Sequence, residues 1–495
     1  MAKPIVFHAD LWDPADRYSR ITAQEWLFIL VMKYRYIPGN LNSHLYYHFK
    51  LTTIKKPLMI SRAEYARRRR ELMDLMGKNS IAILPSAKEV VRSRDTHFSF
   101  RQDSDFHYLT GFPEPDAVLV LLPGREHGEY VMFCREKDPK METWHGRREG
   151  QAGAKKNYGC NDAFPIDDID EILPGLMEGR ERIYYEFGNH AEFDNNIMSW
   201  VNTFRAQVKK GAHPPGELID LSYILHDMRL IKSKAEIKVM RKAAEISANA
   251  HKAAMKVCQP GMNELQIEAE LKYQFANQGA RFEAYSSIVA GGENACILHY
   301  VENKDPLQDG DLLLIDAGAE LDGYAADISR TFPVNGRYSD AQREAYDWVL
   351  KANKEAIKAA KPGNHWSAPH DVAVRILTKG LIAMKILEGD LDQLIQEEAY
   401  KPFYMHKTGH WIGLDVHDVG DYLQDREPRI LAEGMVLTVE PGLYFTPKTK
   451  GLDKKWWGIG IRIEDDVLIT AKGNSVLTKS VPKEASQVEK LMADG

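Results

Sequence analysis

Four carboxylates and one histidine in the C-terminal half of the chain have the residue types of a metal site. They are Asp316, Asp327, His410, Glu440 and Glu464. Each lies in a short run that is typical of a strand or a glycine-rich loop. Carboxylates gathered on one apolar scaffold repel one another, and bound cations usually compensate such a cluster. The pattern therefore predicts two metal ions and metal-assisted hydrolysis. The oxygen-rich donor set favours manganese, with cobalt, iron or zinc as substitutes, over a thiolate zinc site.

Asp316 and Asp327 lie on either side of a predicted hairpin turn at residues 321–323, in the run LLLIDAGAELDGYAADISRTF. One register of the hairpin places Asp316 opposite Asp327, and another places it opposite Ser329. Both registers put the two aspartates on the same face, whereas a slip by one residue separates them. Two like charges side by side on a sheet are destabilising, so a shared cation is the natural compensation.

The other carboxylates lie in two further strand-like runs. Glu440 closes the run MVLTVE, and Pro441 ends the ladder there. In GIGIRIEDD, strand alternation puts Arg462 and Glu464 on the same side. Taken alone, that run fits an Arg–Glu pair on an exposed sheet face better than a metal site.

Three histidines, His406, His410 and His417, fall within twelve residues, with glycines between them. The glycines predict a loop that approaches a site closely rather than a helix. Imidazole is a common metal ligand and proton carrier. His299, in ACILHY, carries less weight, because a core histidine would have the same surroundings.

The 495 residues suffice for two or three domains. We predict three segments: an N-terminal extension over 1–58, an α/β domain over 59–228 and a catalytic domain over 229–495. The extension is either an added segment or upstream sequence translated from a misplaced start. In the second segment IAILP, AVLVLLPG and YVMFC are predicted to be buried strands. Ser233 and Glu236 form a capping box that opens a helix to about Val257, which marks the boundary.

The composition excludes several classes of protein. A net charge of −6 and a pI of about 6.3 favour neither nucleic acid nor an anionic membrane as partner. The basic block 67–70 is predicted to be a solvated helix face. No apolar run is long enough to cross a membrane, and no basic region precedes a signal-like run. The four cysteines are widely spaced, which predicts reduced thiols and a cytoplasmic protein.

Several of these runs together resemble the metal-dependent aminopeptidase P and prolidase family from about residue 60 to the end. The matching runs are RQDSDFHYLTGFPEPDAVLVLLPG, WHGRREGQ, CILHY, LLLIDAGAELDGYAADISRTFPVNG, FYMHKTGHWIGLDVHDVG, VLTVEPGLY and GIGIRIEDD. The resemblance implies a small α/β N-terminal domain followed by a pita-bread catalytic domain of the α+β class. It also implies a homo-oligomer, a dimer or a tetramer.

The resemblance implies an activity as well. The enzyme would remove the N-terminal residue from peptides with proline in the second position, by attack of a hydroxide that bridges two metal ions, with Mn²⁺ expected. Asp316 would bind one ion, Asp327 and Glu464 would bridge both, and His410 and Glu440 would bind the other. Glu440 would also accept and shuttle a proton.

Further roles follow from the same resemblance. His299 and His417 would steady the substrate and the developing oxyanion. The side that receives proline would be lined by His406, Arg462 and Tyr444. Trp144, Arg147 and Arg148 match a first-domain motif that reaches an active site, either their own or a neighbour's. His107 stands where an aromatic residue such as Trp is expected. If that position contacts the first substrate residue, in its own or a neighbouring subunit, preference for that residue would differ.

Other functions on the same scaffold remain open. A prolidase would cleave only Xaa-Pro dipeptides, and some such enzymes hydrolyse organophosphates. The first-domain motif and the HKTGHW run favour aminopeptidase P. A non-catalytic binding protein or a metal-independent creatine hydrolase would be expected to lose metal ligands, and all five are present here. A methionine aminopeptidase would lack the large first domain.

Overall fold

A computed structural model of the protein describes residues 60–495, so the predicted extension over 1–58 lies outside the described residues. The N-terminal part contains a mixed six-stranded sheet in the order β6-β5-β4-β1-β7-β8, and a separate two-stranded ribbon formed by β2 and β3. The strands are β1 Ser80–Pro85, β2 Val91–Ser93, β3 Thr96–His97, β4 Val118–Leu121, β5 Tyr130–Cys134, β6 Asp162–Pro165, β7 Arg182–Tyr185 and β8 Glu217–Asp220. The strands predicted for IAILP, AVLVLLPG and YVMFC are confirmed as β1, β4 and β5.

Seven helices accompany these strands. They are α1 Arg62–Met76, α2 Ser104–Thr110, α3 Pro139–His145, α4 Gly150–Tyr158, α5 Ile169–Met177, α6 Ala191–Gln207 and α7 Ser222–Leu230. Helix α1 begins directly after Ser61, which caps it by accepting a hydrogen bond from the backbone N–H of Glu64. Helix and sheet therefore alternate along this part of the chain, and the predicted α/β class is confirmed.

The arginine block on α1 is only partly solvated, so that prediction was wrong for two of its four residues. Arg68 and Arg69 are buried, with 0% and 6% of their surface exposed. Arg68 donates to the carbonyl of Tyr108 at 2.9 Å, and Arg69 donates to that of Leu109 at 2.6 Å. The C-terminal carbonyls of α2 thus receive the buried guanidinium groups, which makes their burial tolerable.

The C-terminal part begins with the predicted long helix, α8, over Lys234–Val257. Its capping box is present as expected: Ser233 accepts from the backbone N–H of Glu236, and the Glu236 carboxylate accepts from the N–H of Ser233. The later helices are α9 Glu264–Asn277, α10 Asp340–Ala359, α11 Ala368–Ala383, α12 Leu391–Gln396 and α13 Ala485–Ala493.

Short antiparallel sheets make up the rest of this part. The strands are β9 Phe282–Glu283, β10 Ile288–Gly291, β11 Leu312–Asp316, β12 Ala319–Leu321, β13 Tyr324–Ala325, β14 Ser329–Pro333, β15 Leu423–Gln424, β16 Glu427–Pro428, β17 Val436–Val439, β18 Gly442–Phe445, β19 Ile459–Arg462, β20 Asp465–Thr470 and β21 Gly473–Val476. Apolar side chains of α10 and α11 share one core with β17, β18, β19 and β20. These helices therefore form the backing of the strands that carry the acidic residues.

The hairpin that carries the two aspartates has one of the two registers expected from the sequence. Asp316 on β11 pairs with Ser329 on β14. The chain crosses between two sheets at Gly318, where a Cβ would overlap the carbonyl oxygen of Ala326. Glycine is therefore required at that crossing, and the register places Asp316 and Asp327 on the same side.

The run GIGIRIEDD is not one continuous strand, contrary to the alternation assumed from its sequence. Strand β19 ends at Arg462 and pairs with β18, whereas β20 begins at Asp465 and pairs with β17. Between them the backbone N–H of Glu464 donates to the carbonyl of Ser329 at 3.0 Å. The change of partner strand directs Glu464 toward the hairpin.

Within residues 60–495, no helix is both long and apolar enough to cross a membrane. The four cysteines are free, as predicted: Cys134, Cys160 and Cys258 are buried, and Cys296 is partly exposed.

Candidate metal centre

A cavity of about 490 Å³ opens between the aspartate hairpin, the histidine loop and the strands β17 and β19. All five predicted metal ligands line it: Asp316, Asp327, His410, Glu440 and Glu464. Four more predicted site residues line it as well: His299, His406, His417 and Arg462. Sequence runs that are up to 165 positions apart in the chain therefore converge on one site.

Tyr285 holds the two hairpin aspartates together, and its role was not predicted from the sequence. Its phenol donates to Oδ1 of Asp316 at 2.6 Å and also makes a short hydrogen bond to Oδ1 of Asp327. The residue precedes β10, which is the strand next to Asp316 in the sheet. A tyrosine in the run AYSSIV fits an apolar strand equally well, so the sequence carries no signal of this contact.

Arg462 and Ser329 link the hairpin to the strand β19. The Arg462 guanidinium donates to Oδ2 of Asp316 at 2.6 Å and to Oγ of Ser329 at 2.9 Å. The Ser329 hydroxyl in turn donates to Glu464 at 2.7 Å. Arg462 and Glu464 thus lie on the same side, as the alternation indicated, but both are buried rather than exposed.

His410 is held in one orientation by the backbone. Its Nδ1 lies 2.9 Å from the carbonyl oxygen of Trp411, which assigns a proton to Nδ1 and directs Nε2 toward the acidic cluster. Nε2 lies 3.4 Å from Asp327 and 3.8 Å from Glu440. Ligand atoms of Asp327, His410 and Glu464 all lie within 4.8 Å of one another.

The histidine loop is a loop as predicted, and it is tied to β17. The backbone N–H of Thr438 donates to the carbonyl of His410 at 2.9 Å, and the N–H of Glu440 donates to that of Thr408 at 2.7 Å. Gly409 permits this approach, because a Cβ there would overlap the carbonyl oxygen of Thr438. Loop and strand therefore present His410 and Glu440 side by side.

His406 and Arg462 form one wall of the site, and Tyr444 supports it from behind. His406 Nε2 lies 2.9 Å from the Tyr444 hydroxyl, and Arg462 donates to the same hydroxyl at 3.0 Å. Tyr444 itself is fully buried behind the cavity wall. Burial, with the charge of Arg462 nearby, lowers the pKa of His406 to about 3, so this imidazole is neutral.

His417 and His299 also line the cavity. The rings of His417 and His410 meet edge to face, with their centroids 4.3 Å apart. Burial and the neighbouring His410 lower the pKa of His417. His299 is exposed to the cavity. Two imidazoles beside the acidic cluster can donate hydrogen bonds to a bound substrate.

The acidic cluster carries more negative charge than the surrounding side chains compensate. Burial raises the pKa of Asp316 although Arg462 opposes the shift, and it raises the pKa of Glu440 to about 7. Burial and the neighbouring carboxylates raise the pKa of Glu464 well above its usual range. Bound cations would favour the ionised forms of these acids. The charge deficit and the donor set, four carboxylates with one imidazole, therefore fit divalent metal ions.

Asp327 and His410 behave as a buried ion pair in the same cluster. Burial would raise the pKa of Asp327, but the hydrogen bond from His410 holds it below its usual range. Burial would lower the pKa of His410, but Asp327 raises it to about 9. A second buried acid, Asp466, accepts a hydrogen bond from the backbone N–H of Asp327 at 3.2 Å. This support from β20 was not predicted either.

The residues singled out in the N-terminal part lie away from the cavity. Among the residues that the structure describes, Trp144, Arg147 and Arg148 are not part of its lining. Trp144 is 77% exposed. His107 packs edge to face against Tyr65 and does not line the cavity. Within this one chain, His107 therefore makes no contact with the candidate site.

Two family models match the chain. The model for the aminopeptidase P N-terminal domain matches residues 65–184. The model for metallopeptidase family M24 matches residues 238–471, the part that contains the whole candidate site.

Individual relatives match over most of the chain. The Xaa-Pro aminopeptidase of Escherichia coli (strain K12) is 46% identical over 434 residues, which cover 88% of this chain and 98% of that protein. The solved structure of aminopeptidase PepP from Pseudomonas aeruginosa is 56% identical, has a TM-score of 0.88 and covers 88% of this chain and 99% of that one. Zinc-substituted aminopeptidase P of E. coli, solved in complex with product, is 46% identical with a TM-score of 0.86, over 88% and 99% of the two chains.

Proposed function

Since the chain belongs to the Xaa-Pro aminopeptidases of metallopeptidase family M24, we propose that it removes the N-terminal residue from peptides whose second residue is proline. It is a metallopeptidase and therefore hydrolyses peptide bonds. The resemblance recognised in the sequence, and with it the α/β domain followed by a pita-bread catalytic domain, is confirmed. The observation that carries the proposal is the cavity in which five metal-ligand side chains face a neutral imidazole wall.

The metal ligands are proposed as the sequence indicated. Asp316 would bind one divalent ion, Asp327 and Glu464 would bind both, and His410 and Glu440 would bind the other, with Mn²⁺ as the expected metal. Support comes from the ligand atoms of Asp327, His410 and Glu464, which lie within 4.8 Å of one another, and from the raised pKa values of Glu440 and Glu464. Bound ions would supply a hydroxide nucleophile at neutral pH and polarise the scissile carbonyl.

Glu440 is the proposed proton acceptor. One of its oxygens lies 3.8 Å from His410 and the other lies 3.7 Å from His406, so the carboxylate spans the metal side and the imidazole wall. In that position it can take a proton from the nucleophile and pass it to the leaving amine. Its backbone N–H, which donates to the Thr408 carbonyl, fixes the start of this side chain.

The remaining side chains would bind the substrate. Two donors on the rim, His299 and His417, are proposed to steady the scissile carbonyl as it gains negative charge. Arg462 is proposed to act with His406 and Tyr444 on the side that receives proline. The mutual hydrogen bonds of these three residues make that wall rigid, which fits the rigid ring of proline.

Peptide cleavage with and without added manganese tests the proposal. The substrates are an Xaa-Pro dipeptide, an Xaa-Pro-Yaa peptide and an Xaa-Ala-Yaa peptide. We expect release of Xaa from Xaa-Pro-Yaa, faster with manganese, and little cleavage of the other two. The variant Glu440→Ala should lose activity at least about hundredfold. The matched control, Glu433→Ala, changes an exposed residue just before β17 and should retain activity.

Two results would contradict the proposal, and a third would refute the role assigned to Glu440. Cleavage of the dipeptide alone would identify a prolidase, the alternative that the names of the relatives do not favour. Absence of manganese-restored peptidase activity in a folded protein would indicate a binding protein on the same scaffold. Full activity of Glu440→Ala would refute the assigned proton acceptor.

We propose three further properties. The N-terminal α/β domain spans residues 59–228 and the catalytic domain spans 229–495. This boundary is supported by the position of β8, the last strand of the six-stranded sheet, before it and of the capping box of α8 after it. The enzyme forms a dimer or tetramer, for which the exposed Trp144 in a matching motif is the supporting feature. It acts in the cytoplasm, which the four free thiols support.

A further inference from the structure

The segment over residues 291–305 forms the part of the cavity rim that carries His299. It begins at the end of β10, passes through a 3-10 turn over Gly292–Cys296 and contains no other regular element. His299 is exposed, whereas its neighbour Tyr300 is buried, with 6% of its surface exposed. The position of His299 therefore depends on how the buried parts of this segment are anchored.

One fully buried carboxylate, Glu264 at the start of α9, anchors the segment at four points. Its Oε1 accepts from the backbone N–H of Gly291 at 2.8 Å and from the side-chain amide of Asn294 at 3.1 Å. Its Oε2 accepts from the Tyr300 hydroxyl at 2.8 Å and from the backbone N–H of Asp305 at 2.9 Å. Donors from both ends and from the middle of the rim thus converge on one side chain.

The backbone around Glu264 reinforces this clamp. The N–H of Glu264 donates to the carbonyl of Asp305 at 3.0 Å. The preceding Asn263, which caps α9, donates from its side chain to the carbonyl of Lys304 at 2.6 Å. The start of α9 and the end of the rim segment therefore form one rigid unit.

Farther along α9, a second acidic residue supports the same segment. Glu268 accepts a hydrogen bond from the side chain of Asn303 at 2.9 Å. Asn303 is buried and has a positive φ of 45°, a conformation that asparagine tolerates better than most residues. Its side chain also accepts from the backbone N–H of Val289 at 2.9 Å, which ties the rim back to β10.

We propose that Glu264 is a positioning residue that holds His299 at the cavity rim. It lies behind the rim, and its strongest link to the histidine is through Tyr300, the next residue in the chain. Burial, and to a smaller extent the hydrogen bond to Glu264, raises the pKa of the Tyr300 phenol. The phenol therefore remains a hydrogen-bond donor at working pH. The inference rests on the proposed function, because it assigns Glu264 an effect only through the substrate-binding role of His299.

The substitution Glu264→Gln tests this arrangement with little change in shape. A carboxylate can accept at both oxygens, whereas glutamine offers one acceptor oxygen and a donating amide. Two of the four donors would then face another donor, which costs far more than the loss of an ordinary exposed hydrogen bond. The rim would shift, and a displacement of about 1 Å in a substrate-positioning group can cost about a hundredfold in rate.

The experiment is a double-mutant cycle of Glu264→Gln with His299→Ala, measured as kcat and KM on an Xaa-Pro-Yaa peptide with manganese present. We expect each single variant to lower kcat/KM by about tenfold to hundredfold. We expect the double variant to be no more than about twofold slower than His299→Ala alone, since the two residues act in series. Manganese content should equal that of the wild type, because the proposed metal ligands lie outside this segment.

Two matched variants separate positioning from folding. Tyr300→Phe removes a single donor and should give a smaller loss of kcat/KM in the same cycle, so it keeps the test valid if Glu264→Gln fails to fold. Glu270→Gln changes a carboxylate on the same helix whose hydrogen bond is to Gln274, and it should behave as the wild type. A loss of activity in Glu270→Gln equal to that in Glu264→Gln would overturn the proposal.

The cycle also distinguishes this inference from the proposed function. If Glu264→Gln or Tyr300→Phe slows His299→Ala by the same factor as it slows the wild type, the positioning role is refuted while the aminopeptidase activity stands. If His299→Ala keeps full activity, the role of His299 and the positioning role both fail. If the wild type has no manganese-dependent activity, the proposed function fails first.

Discussion

At the residue scale, the phenol of Tyr285 supports the proposed metal ligands. It bridges Asp316 and Asp327, and without it the two carboxylates lose a shared donor. Partners behind metal ligands typically contribute about tenfold to hundredfold to metal affinity. We therefore expect Tyr285→Phe to weaken manganese binding by that factor, measured by calorimetric titration of the metal-free protein.

A second tyrosine provides the control for that measurement. Tyr273 on α9 is 48% exposed, so Tyr273→Phe should bind manganese as the wild type does. Equal affinity of Tyr285→Phe and the wild type, with unchanged thermal stability, would show that the phenol does not support the metal ligands.

The residue types of the site could be predicted from the sequence, but several of their partners could not. Carboxylates and imidazoles in glycine-containing runs are unusual enough to indicate chemistry. Ser329 and Asp466 support them from buried positions and Tyr285 from a partly buried one, and serine, aspartate and tyrosine also occur at such positions for structural reasons. Such supporting residues are identified only by their distance from the site residues in the folded structure. The spacing of residues along the chain does not predict that distance.

At the scale of elements, the contact between the histidine loop and β17 depends on the absence of a side chain at Gly409. A Cβ there would overlap the backbone carbonyl of Thr438, which cannot move without disturbing the sheet. We expect Gly409→Ala to lower the free energy of unfolding by about 1–3 kcal/mol. Because His410 follows directly, the variant should also retain less manganese, as measured by metal analysis after gel filtration.

Gly473 on β21 is the matched control, since a Cβ there would meet nothing within 4 Å. Gly473→Ala should keep the stability and the metal content of the wild type. Wild-type stability and metal content in Gly409→Ala would mean that the loop does not need its close approach to the strand.

Strand parity explains why part of the element geometry was predictable. Either expected register of the hairpin put Asp316 and Asp327 on one side, so their association did not depend on choosing between them. The break between β19 and β20 was not predictable, because the alternating isoleucines continue across it without interruption. The ladder of β19 ends because the chain changes its partner strand from β18 to β17. This is a tertiary contact, which the local sequence does not predict.

At the scale of the whole molecule, a buried ion network joins the N-terminal part to the histidine loop. Arg229 on α7 lies 2.7 Å from Asp105 on α2, 2.7 Å from Asp415 and 2.6 Å from Asp418. The last two acids flank His417 in the loop. Lys232 also contacts Asp418, at 2.8 Å. The position of the loop is therefore set partly by residues far from it in the chain.

Removal of Arg229 should destabilise the protein strongly. In Arg229→Met, three acids lose their common cation. Asp105 and Asp418 remain buried while Asp415 is partly exposed, and breaking a buried pair in this way costs about 3–5 kcal/mol. Urea unfolding in the presence of chelator would measure the change without a contribution from bound metal. Arg343→Met, which breaks an exposed pair with Asp347, should cost at most about 0.5 kcal/mol. Equal effects of the two substitutions would refute the network as a link between the two parts.

The convergence of the acidic runs on one cavity is likewise a property of the whole molecule. Local patterns located the strands, the loop and the cap of α8, because each depends on neighbours within a few residues. The distance between Asp316 on β11 and Glu440 after β17 depends on packing of the whole C-terminal part. The family resemblance supplied that information, since spacing along the chain did not contain it.

The tip of the hairpin, Asp322, makes the stability of the molecule depend on pH. Its carboxylate accepts a hydrogen bond from the backbone N–H of Ile60 at 3.0 Å, and burial raises its pKa from 3.8 to about 6. Between these two values the unfolded chain has released the proton while the folded protein still holds it. Stability from this group is therefore fully present below about pH 4 and is lost as the pH rises to about 6, by up to about 3 kcal/mol.

The variant Asp322→Asn removes this titration but keeps an acceptor for Ile60 and tolerates the positive φ of 50°. Relative to the wild type, its melting temperature should therefore rise as the pH increases from about 4 to 7, when both proteins are measured in chelator. Asp116→Asn, exposed and also at positive φ, 53°, should follow the wild-type profile. The pH dependence of stability arises only where the folded and unfolded states bind different numbers of protons. A constant difference in melting temperature between Asp322→Asn and the wild type across this range would therefore mean that the folded protein does not hold a proton on Asp322.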